Sequence, residues 1–255
     1  MLALVTGGSS GMGLEYCRQL AAQGHDVIMV SNQQDLLETL PAQLSQAYGV
    51  RIIGRHQDLA AQNAAQELFD WCQSEGLQVD ILINNAGMYF FHELTPDYHS
   101  RANAMMTLHM VTPTQLCMLF GEEMKHRHKG YILNVSSLTA LVPAPGITMY
   151  AATKAYLRSF SKSLYHEMRP YGVGVTTIMP GAIATSLYNI NEKIMRICVN
   201  TGVIMTSKWL VRKALRGMWH HRHWVRPGAM NYYLPVLVKL LPNWLESIIW
   251  QKFSK

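Results

Sequence analysis

The sequence predicts an α/β fold, a doubly wound parallel β-sheet of about seven strands flanked by helices, in a single domain with a C-terminal helical extension. Short runs rich in Val and Ile alternate with longer segments of helical period, which is typical of repeated β-α units. With 255 residues, of which 49% are hydrophobic and 15% charged, the chain can bury one large core. A glycine-rich turn after the first apolar run also fits this class of fold.

The predicted strands and helices alternate along the chain and are separated by turn residues such as Tyr48-Gly49 and Lys129-Gly130. Strands are expected at 2–6, 26–30, 50–53, 80–83, 131–135, 174–178 and 223–225. Helices are expected at 12–23, 34–48, 60–75, 98–126 and 150–168. The main body is expected to span 1–228, with a segment at about 186–206 covering a ligand pocket and an amphipathic extension at 229–255.

The cysteines and histidines do not suggest a metal site. The four cysteines form no C-x-x-C pair, which argues against a disulfide framework or thiolate ligands and favours a reducing, cytoplasmic location (Cys17, Cys72, Cys117 and Cys198). No signal peptide is recognisable at the start of the chain. The histidine clusters at 126–128 and 220–223 are interleaved with Arg and are expected in loops without partner carboxylates, so solvated loops are the better interpretation.

Positive charge is concentrated at the C-terminal end. Residues 208–255 contain nine Lys/Arg and one acid, Glu246, whereas the whole chain carries +6. No nucleic-acid reader motif accompanies them, so nucleic acid is not an expected partner. Together with Trp244 and Trp250, they favour peripheral contact with an anionic membrane, at the inner surface, over nucleic-acid binding, and a solvated basic face is the open alternative. Prolines and charges interrupt residues 232–250, which are therefore amphipathic and not membrane-spanning.

The glycine turn lies between the first predicted strand and the first predicted helix. Its glycines allow a sharp turn and let a pyrophosphate approach the free N–H groups at the helix N-terminus. No Gly-Lys-Ser/Thr follows, so this is not the phosphate loop of ATPases. The turn predicts a Rossmann-type dinucleotide site, and the residues expected to contact the cofactor there are Thr6, Gly7, Ser9, Ser10, Gly11, Met12 and Gly13.

The spacing T-G-x-x-x-G-x-G resembles that of the short-chain dehydrogenase/reductase family. Four further motifs follow in the family's order, so that the resemblance covers about residues 4–186. It implies that Asp58 and the adjacent Leu59 contact the adenine. It also implies that the N-N-A-G motif passes beside the adenosine ribose, and that the P-G-x-x-x-T motif holds the nicotinamide carboxamide. The residues concerned are Asn85, Ala86 and Gly87 in the first motif and Pro180, Gly181 and Thr185 in the second.

The end of the second predicted strand bears on the choice between NAD(H) and NADP(H). An acid there would bind the 2′-hydroxyl of NAD, and an arginine would accept the 2′-phosphate of NADP. The sequence has neither, and Ser31 and Asn32 could donate hydrogen bonds to both. Because no acid repels a phosphate, NADP(H) is favoured and NAD(H) remains open.

Tyr150 and Lys154 are four residues apart and therefore share one helix face. A free tyrosine has a pKa of about 10, and a cation one turn away favours its phenolate form. The resemblance implies that Tyr150 is the acid in reduction and the base in oxidation, and that Lys154 tunes it and holds the nicotinamide ribose. It also implies that Ser137 binds the substrate oxygen, while Ser136 points the other way.

One position departs from the family, which usually has an asparagine in the helix after the fourth strand as part of a proton relay through water. Aligning Thr112-Pro113 with the family's small residue and proline puts His109 at that position, and Asn103 is six residues too early. His109 is expected to belong to the catalytic set if it holds the same water. The alternative is a helix-interior histidine with satisfied ring nitrogens.

The segments expected to face the substrate are apolar: 88–91, 142–147 and, after Thr185, several Leu, Ile, Val and Met residues up to Met205. The chain also resembles the family branch of 3-oxoacyl and hydroxysteroid reductases. This implies hydride transfer between NADP(H) and the carbonyl or secondary alcohol of an apolar, lipid-like molecule, by a homodimer or homotetramer. A non-catalytic NADP(H)-sensing protein is the alternative.

Overall fold

The computed structural model describes residues 1–181, 205–228, 230–239 and 242. These residues build a seven-stranded sheet in the order β3-β2-β1-β4-β5-β6-β7, and every neighbouring pair is parallel. The strands are β1 (Leu2–Thr6), β2 (Asp26–Ser31), β3 (Ile52–His56), β4 (Ile81–Asn84), β5 (Gly130–Val135), β6 (Val173–Ile178) and β7 (Trp224–Val225). The predicted doubly wound α/β fold is confirmed.

Helices cover both faces of the sheet. They are α1 (Gly11–Ala22), α2 (Gln34–Tyr48), α3 (Ala64–Ser74), α4 (His99–Met106), α5 (Thr112–His126), α6 (Thr148–Met168), α7 (Ser207–Trp219) and α8 (Met230–Lys239). One core layer joins the sheet to α1, α2 and α7, and the other joins it to α3, α5 and α6. The central strands are mainly apolar because both of their faces are buried, and Asn84 and Asn134 are buried polar exceptions on β4 and β5.

The strand order creates the position for a ligand. The chain winds outward from β1 to β3 and then returns to β4 on the other side of β1. Loops leaving the carboxyl ends of β1 and β4 therefore diverge, and a crevice opens between them. The glycine turn follows β1, and the N-N-A-G motif includes the last residue of β4.

Two predicted elements have a boundary that is wrong by more than two residues. The third strand runs from Ile52 to His56 and not from 50 to 53, because Gly49 ends α2 in a left-handed conformation (φ 67°) and pairing with β2 starts at Ile52. The helix predicted at 60–75 begins at Ala64. Asn63 is left-handed (φ 62°), and the preceding residues form a turn in which Asp58 accepts a hydrogen bond from the Ala60 N–H.

The helix predicted at 98–126 is divided. A π-helical turn, Thr107–Val111, separates α4 from α5. Pro113 lacks the N–H that an α-helix would donate to the carbonyl of His109, so regular helical bonding cannot continue through this point. Such turns often lie at functional sites. This one contains His109.

Helix α7 was not among the predicted helices, although its sequence carries the necessary signals. The Thr206 side chain caps it by accepting a hydrogen bond from the Trp209 N–H at 3.3 Å. The buried face of α7 repeats with helical spacing (Leu210, Val211, Ala214, Leu215 and Met218). Its exposed face carries Lys208, Arg212, Lys213 and Arg216.

Candidate active site

A cleft of about 390 Å³ opens at the carboxyl ends of the strands. It brings together most of the residues selected from the sequence: Gly7, Ser9, Ser10, Gly11, Met12, Ser31, Asn32, Asp58, Leu59, Asn85, Ala86, Gly87, His109, Ser137, Tyr150, Lys154, Pro180 and Gly181. Thr6 and Gly13 do not line the cleft, but both contact residues that do. Thr185 lies outside the described residues. The volume is within the range of ordinary ligand sites.

The glycine turn is locked against the end of β4. The Thr6 hydroxyl accepts hydrogen bonds from the backbone N–H groups of Asn85 and Ala86, both at 2.9 Å, and donates to the Ile83 carbonyl at 3.2 Å. A Cβ on Gly13 would lie 1.8 Å from the Gly7 carbonyl oxygen, so only glycine allows this packing. The turn therefore presents the N-terminus of α1 to the cleft without a side chain in between.

At the end of β2, a ring of polar groups includes a residue that the sequence analysis missed. The Gln33 N–H donates to the Ser31 hydroxyl at 3.1 Å, and the hydroxyls of Ser31 and Ser9 are 2.7 Å apart. Ser9 in turn donates to Gln33 Oε1 at 2.6 Å. Gln33 lines the cleft and is the N-cap residue of α2. Its position immediately before this helix was the sequence signal that could have identified it. This end of the cleft is neutral at positions 31–33.

Tyr150 and Lys154 project from the first turns of α6 into the same cleft. Lys154 Nζ lies 5.6 Å from the centre of the Tyr150 ring and donates to the Val135 carbonyl at 3.0 Å. Burial lowers the pKa of Lys154 from 10.5 to about 8, because a charged amine loses its hydration there. The hydrogen bond to the Val135 carbonyl, at the end of β5, holds Lys154 beside Tyr150.

The two serines after β5 have different roles in the structure. Both serines line the cleft, and the Ser137 hydroxyl accepts from the Thr139 N–H at 3.2 Å. Ser136 donates to the Lys154 carbonyl at 2.7 Å, so its hydroxyl is committed to α6. The Ser136 hydroxyl is thus engaged by the protein, and the substrate-facing role of Ser137 stays a prediction.

His109 is buried, and both ring nitrogens have protein partners. Nε2 lies 3.0 Å from the Met88 N–H, and a backbone N–H can only donate. Nδ1 therefore carries the proton of the neutral ring and donates to Thr153 Oγ1 at 3.0 Å. Burial, and secondarily the charge of Lys154, hold the pKa of His109 well below its ordinary value of 6.5. The ring is neutral, and the geometry matches the satisfied-histidine alternative.

Thr153 is a second residue that the sequence analysis missed. It is buried, and its hydroxyl donates to the Tyr150 carbonyl at 2.9 Å while contacting His109. It thus connects the π-helical turn to the helix that carries Tyr150. The signal was available, because Thr153 lies within the Tyr-x-x-x-Lys motif itself.

The comparisons with known proteins agree with this geometry. The family model of the short chain dehydrogenases matches residues 1–194. The chain belongs to this family. It is 31% identical over 196 residues to the very-long-chain 3-oxoacyl-CoA reductase of Bos taurus, which covers 74% of the chain and 62% of that enzyme. The chain thus spans less than two thirds of the length of this curated relative.

Solved structures of short-chain dehydrogenases superpose over nearly the whole chain. The short-chain dehydrogenase from Sphingobium yanoikuyae in complex with NADPH has a TM-score of 0.79 at 26% identity, covering 95% of this chain and 96% of its own. The bulky-bulky ketone specific alcohol dehydrogenase from Comamonas testosteroni has a TM-score of 0.78 at 26% identity, covering 95% of both chains. Family membership and fold are therefore established.

Near Tyr150, this short-chain dehydrogenase presents Met88 and Tyr89 to the cleft. The Tyr89 ring stands edge-on to Tyr150, with ring centres 5.1 Å apart. Phe90 does not line the cleft as expected; it packs against Tyr98, under the Arg101 guanidinium. Phe91, residues 142–147 and Met205, which were also expected to face the substrate, do not line the cleft either.

Phe91 is 54% exposed, and residues 142–147 do not line the cleft. That segment is instead tied to the 88–95 loop by a hydrogen bond from the His92 N–H to the Gly146 carbonyl at 2.8 Å. Met205 is buried in the core layer of α1 and α7. The rest of the predicted covering segment, 186–204, lies outside the described residues.

The start of the predicted C-terminal extension lies against the cleft. Asn231 donates to the Pro227 carbonyl, and a Cβ on Gly181, which lines the cleft, would lie 2.5 Å from Asn231 Oδ1. The Arg226 guanidinium lies over the rings of Trp224 and Tyr232, at 5.0 and 4.7 Å from their centres. Among the described residues, no helix is long and apolar enough to cross a membrane. Of the extension beyond Lys239, only Pro242 is described.

Proposed function

We propose that this short-chain dehydrogenase transfers a hydride between NADP(H) and the carbonyl or secondary alcohol of an apolar, lipid-like substrate. One observation carries the proposal: Ser137, Tyr150 and Lys154 line the same cleft as the glycine turn. A nucleophile or metal is not needed for this chemistry, because the dinucleotide supplies or accepts the hydride when bound. The protein must bind, orient and move one proton.

The residues around the cleft fit a dinucleotide. Gly7 and Gly13 leave backbone, and no side chain, at the position where a pyrophosphate would meet the N-terminus of α1. Ser9, Ser10, Gly11 and Met12 would hold that group. Asp58 and Leu59 would contact the adenine, and Asn85, Ala86 and Gly87 the adjoining ribose. Pro180, Gly181 and Thr185 would hold the nicotinamide end.

The geometry of α6 supports the proposed proton step. In reduction, the Tyr150 hydroxyl donates its proton to the substrate oxygen, while the Ser137 hydroxyl donates a hydrogen bond to the same oxygen. Lys154 is buried within 5.6 Å of the Tyr150 ring, where its positive charge favours the phenolate left behind. In oxidation, the phenolate accepts the proton from the alcohol. His109 supports this set by fixing Thr153 and, through it, the Tyr150 backbone.

The preference for NADP(H) rests on the end of β2. Positions 31–33 carry hydroxyl and amide groups and no carboxylate that would repel a 2′-phosphate. Ser31 is held in the polar ring, and Asn32 is exposed at the cleft edge. The Sphingobium yanoikuyae neighbour in complex with NADPH supports the same choice. NAD(H) remains the alternative cofactor.

The apolar substrate class is supported by the cleft and by the relatives. Met88 and Tyr89 form an apolar wall beside Tyr150. The Bos taurus relative is named a very-long-chain 3-oxoacyl-CoA reductase, and the Comamonas testosteroni neighbour is specific for bulky-bulky ketones. A 3-oxoacyl or hydroxysteroid type of ketone fits these features.

The remaining parts of the proposal concern assembly and location. The protein acts in the cytoplasm as a homodimer formed through the segments 98–126 and 150–168. This arrangement leaves the C-terminal extension free to pack over the mouth of the substrate pocket. Exposed Val111, Met118 and Tyr156 on these segments support such a contact. The basic, amphipathic extension at 229–255 gives peripheral contact with anionic membrane.

The proposal is tested by incubating the full chain with NADPH or NADH and a panel of ketones, while the absorbance of the reduced cofactor is followed. The panel contains 3-oxoacyl thioesters of increasing length, steroid ketones and short polar ketones as controls. We expect oxidation of NADPH with the long apolar ketones and little with the polar ones. Tight cofactor binding without turnover of any ketone would contradict catalysis and favour the NADP(H)-sensing alternative.

A further inference from the structure

A buried chain of polar groups runs from α6 to β4, and its direction is fixed by one backbone carbonyl. The Leu157 carbonyl can only accept, so the Ser161 hydroxyl, at 2.6 Å, must donate to it. The Ser161 oxygen is then left to accept, and Asn134 donates to it through Nδ2 at 2.8 Å. The orientation of the Asn134 amide is therefore determined.

The same reasoning fixes Asn84. Since Asn134 Nδ2 faces Ser161, Asn134 Oδ1 faces Asn84, which must present Nδ2 across 2.8 Å. Asn84 Nδ2 also contacts Cys117 Sγ at 3.3 Å. Asn84 Oδ1 consequently points away from this series of hydrogen-bonded groups. It is buried and has no hydrogen-bond partner among the described residues, which is unfavourable for a buried acceptor.

Asn84 also lines a small cavity of about 10 Å³ that adjoins the cleft. Its walls include Thr6, His109, Thr112 and Lys154. A volume of this size holds about one water molecule, and a buried water needs polar partners. The cavity therefore has room for one water and offers it an acceptor, Asn84 Oδ1. A second polar group must donate a hydrogen bond to that water.

Only Lys154 has donors to spare among the described polar side chains around the cavity. The Thr6 hydroxyl donates to the Ile83 carbonyl, and the Thr112 hydroxyl donates to the Leu59 carbonyl. Both nitrogens of His109 are paired, as described above. Lys154 gives one N–H to the Val135 carbonyl, and an ammonium group has three.

The geometry points to Asn84 as a positioning residue for Lys154, acting through one buried water that accepts from Lys154 Nζ and donates to Asn84 Oδ1. The role rests on the proposed function, in which Lys154 supports Tyr150. The water gives the ammonium group a second partner where burial disfavours its charge. In this arrangement the first asparagine of the N-N-A-G motif holds the water. The His109 ring, which aligns with the family's helix asparagine, does not.

The first test is a crystal structure of the full chain with NADPH, at a resolution that defines ordered waters. We expect one water within hydrogen-bond distance of both Asn84 Oδ1 and Lys154 Nζ. A protein donor on Asn84 Oδ1, or no ordered water between the two atoms, would overturn the assignment. This measurement needs no turnover, so it is independent of whether a ketone substrate is found.

The second test compares Asn84→Ala with Cys117→Ala, which perturbs the same buried chain but does not line the cavity. The Lys154 side chain is titrated by NMR in the NADPH complex. We expect Asn84→Ala to lower the pKa of Lys154 and, with a substrate, to reduce kcat about tenfold with little change in KM. Cys117→Ala should leave both unchanged. Equal titration curves in both variants would show that Asn84 is only structural, and if Asn84→Ala does not fold, the crystal structure decides.

Discussion

The backbone N–H of Met88 donates a hydrogen bond to Nε2 of His109 at 3.0 Å. This bond joins the loop after β4 to the π-helical turn between α4 and α5. Because Nε2 accepts, the proton of the neutral ring is on Nδ1, where it is donated to Thr153 on α6. One side chain thus connects three segments around the active site, and it does so only while it is neutral.

Acid should destabilise the protein through His109. Its pKa is held well below 6.5 by burial, so below pH ~6.5 the unfolded state binds a proton that the folded state does not. The free energy of unfolding should therefore fall as the pH drops from ~6.5 to ~5. His109→Gln should flatten this dependence, measured by urea unfolding at several pH values. His220→Gln, at an exposed histidine, is the control, and equal slopes in both variants would contradict the prediction.

Alkali should have the opposite effect through Lys154. Its pKa is about 8 in the folded protein and 10.5 when unperturbed, so between these values the unfolded state binds more protons. Stability should therefore rise with pH across this window, by up to about 3 kcal/mol. Urea unfolding of Lys154→Met should lack this rise. Lys162→Met, at an exposed lysine on the same helix, should retain it; loss of the rise in both variants would refute the assignment to Lys154.

Tyr150→Phe should abolish turnover and leave cofactor affinity within a few-fold of the unmodified protein, because the hydroxyl acts on the substrate. The expected loss in kcat is about 10²–10⁴-fold. The assay follows reduced-cofactor absorbance, with fluorescence titration for binding. Tyr48→Phe is the matched control, since Tyr48 is exposed at the end of α2 and does not line the cleft. A Tyr150→Phe rate within about a hundredfold of normal would exclude this tyrosine as the proton donor.

The cofactor preference should respond to Asn32. This side chain is exposed at the cleft edge, so a longer one can be introduced without disturbing the core. Asn32→Arg should widen the preference for NADPH, because a guanidinium pairs with the 2′-phosphate, and Asn32→Asp should reverse it. Dissociation constants for both cofactors provide the measurement. Tenfold tighter binding of NADH by the unmodified protein would refute the interpretation of the β2 end.

Deletion of residues 230–255 should slow the reduction of long apolar ketones while cofactor binding persists. The start of α8 abuts Gly181 at the cleft, and Tyr233, Val236 and Leu237 expose an apolar face of α8. An unchanged rate on long ketones, in a truncated protein that still binds cofactor, would show that the extension does not serve the pocket.

The same truncation should also remove binding to anionic vesicles. Sedimentation with phosphatidylglycerol vesicles at low and high salt measures this, with phosphatidylcholine vesicles as the control. Binding of the full chain that weakens at high salt would support the membrane contact. No binding of the full chain at low salt would exclude it.

The sequence alone determined the fold class and most of the cleft. Alternating apolar strands and helical segments permit few arrangements besides a parallel sheet, and in such a sheet the motifs after β1, β4, β5 and β6 meet at one edge. The positions of Tyr150 and Lys154 followed from helical spacing. Boundaries such as Ala64 were less predictable, because the sequence pattern does not show that Asn63 adopts a left-handed conformation just before the helix.

Tertiary structure decided the state of individual groups. Motif spacing could not show that Gln33 closes a ring with Ser9 and Ser31, or that Asn84 Oδ1 is left without a protein donor. His109 gives the physical reason. Whether its ring can bind water depends on hydrogen bonds to Met88 and Thr153, which are 21 and 44 residues away and come within 3.0 Å only when the chain folds.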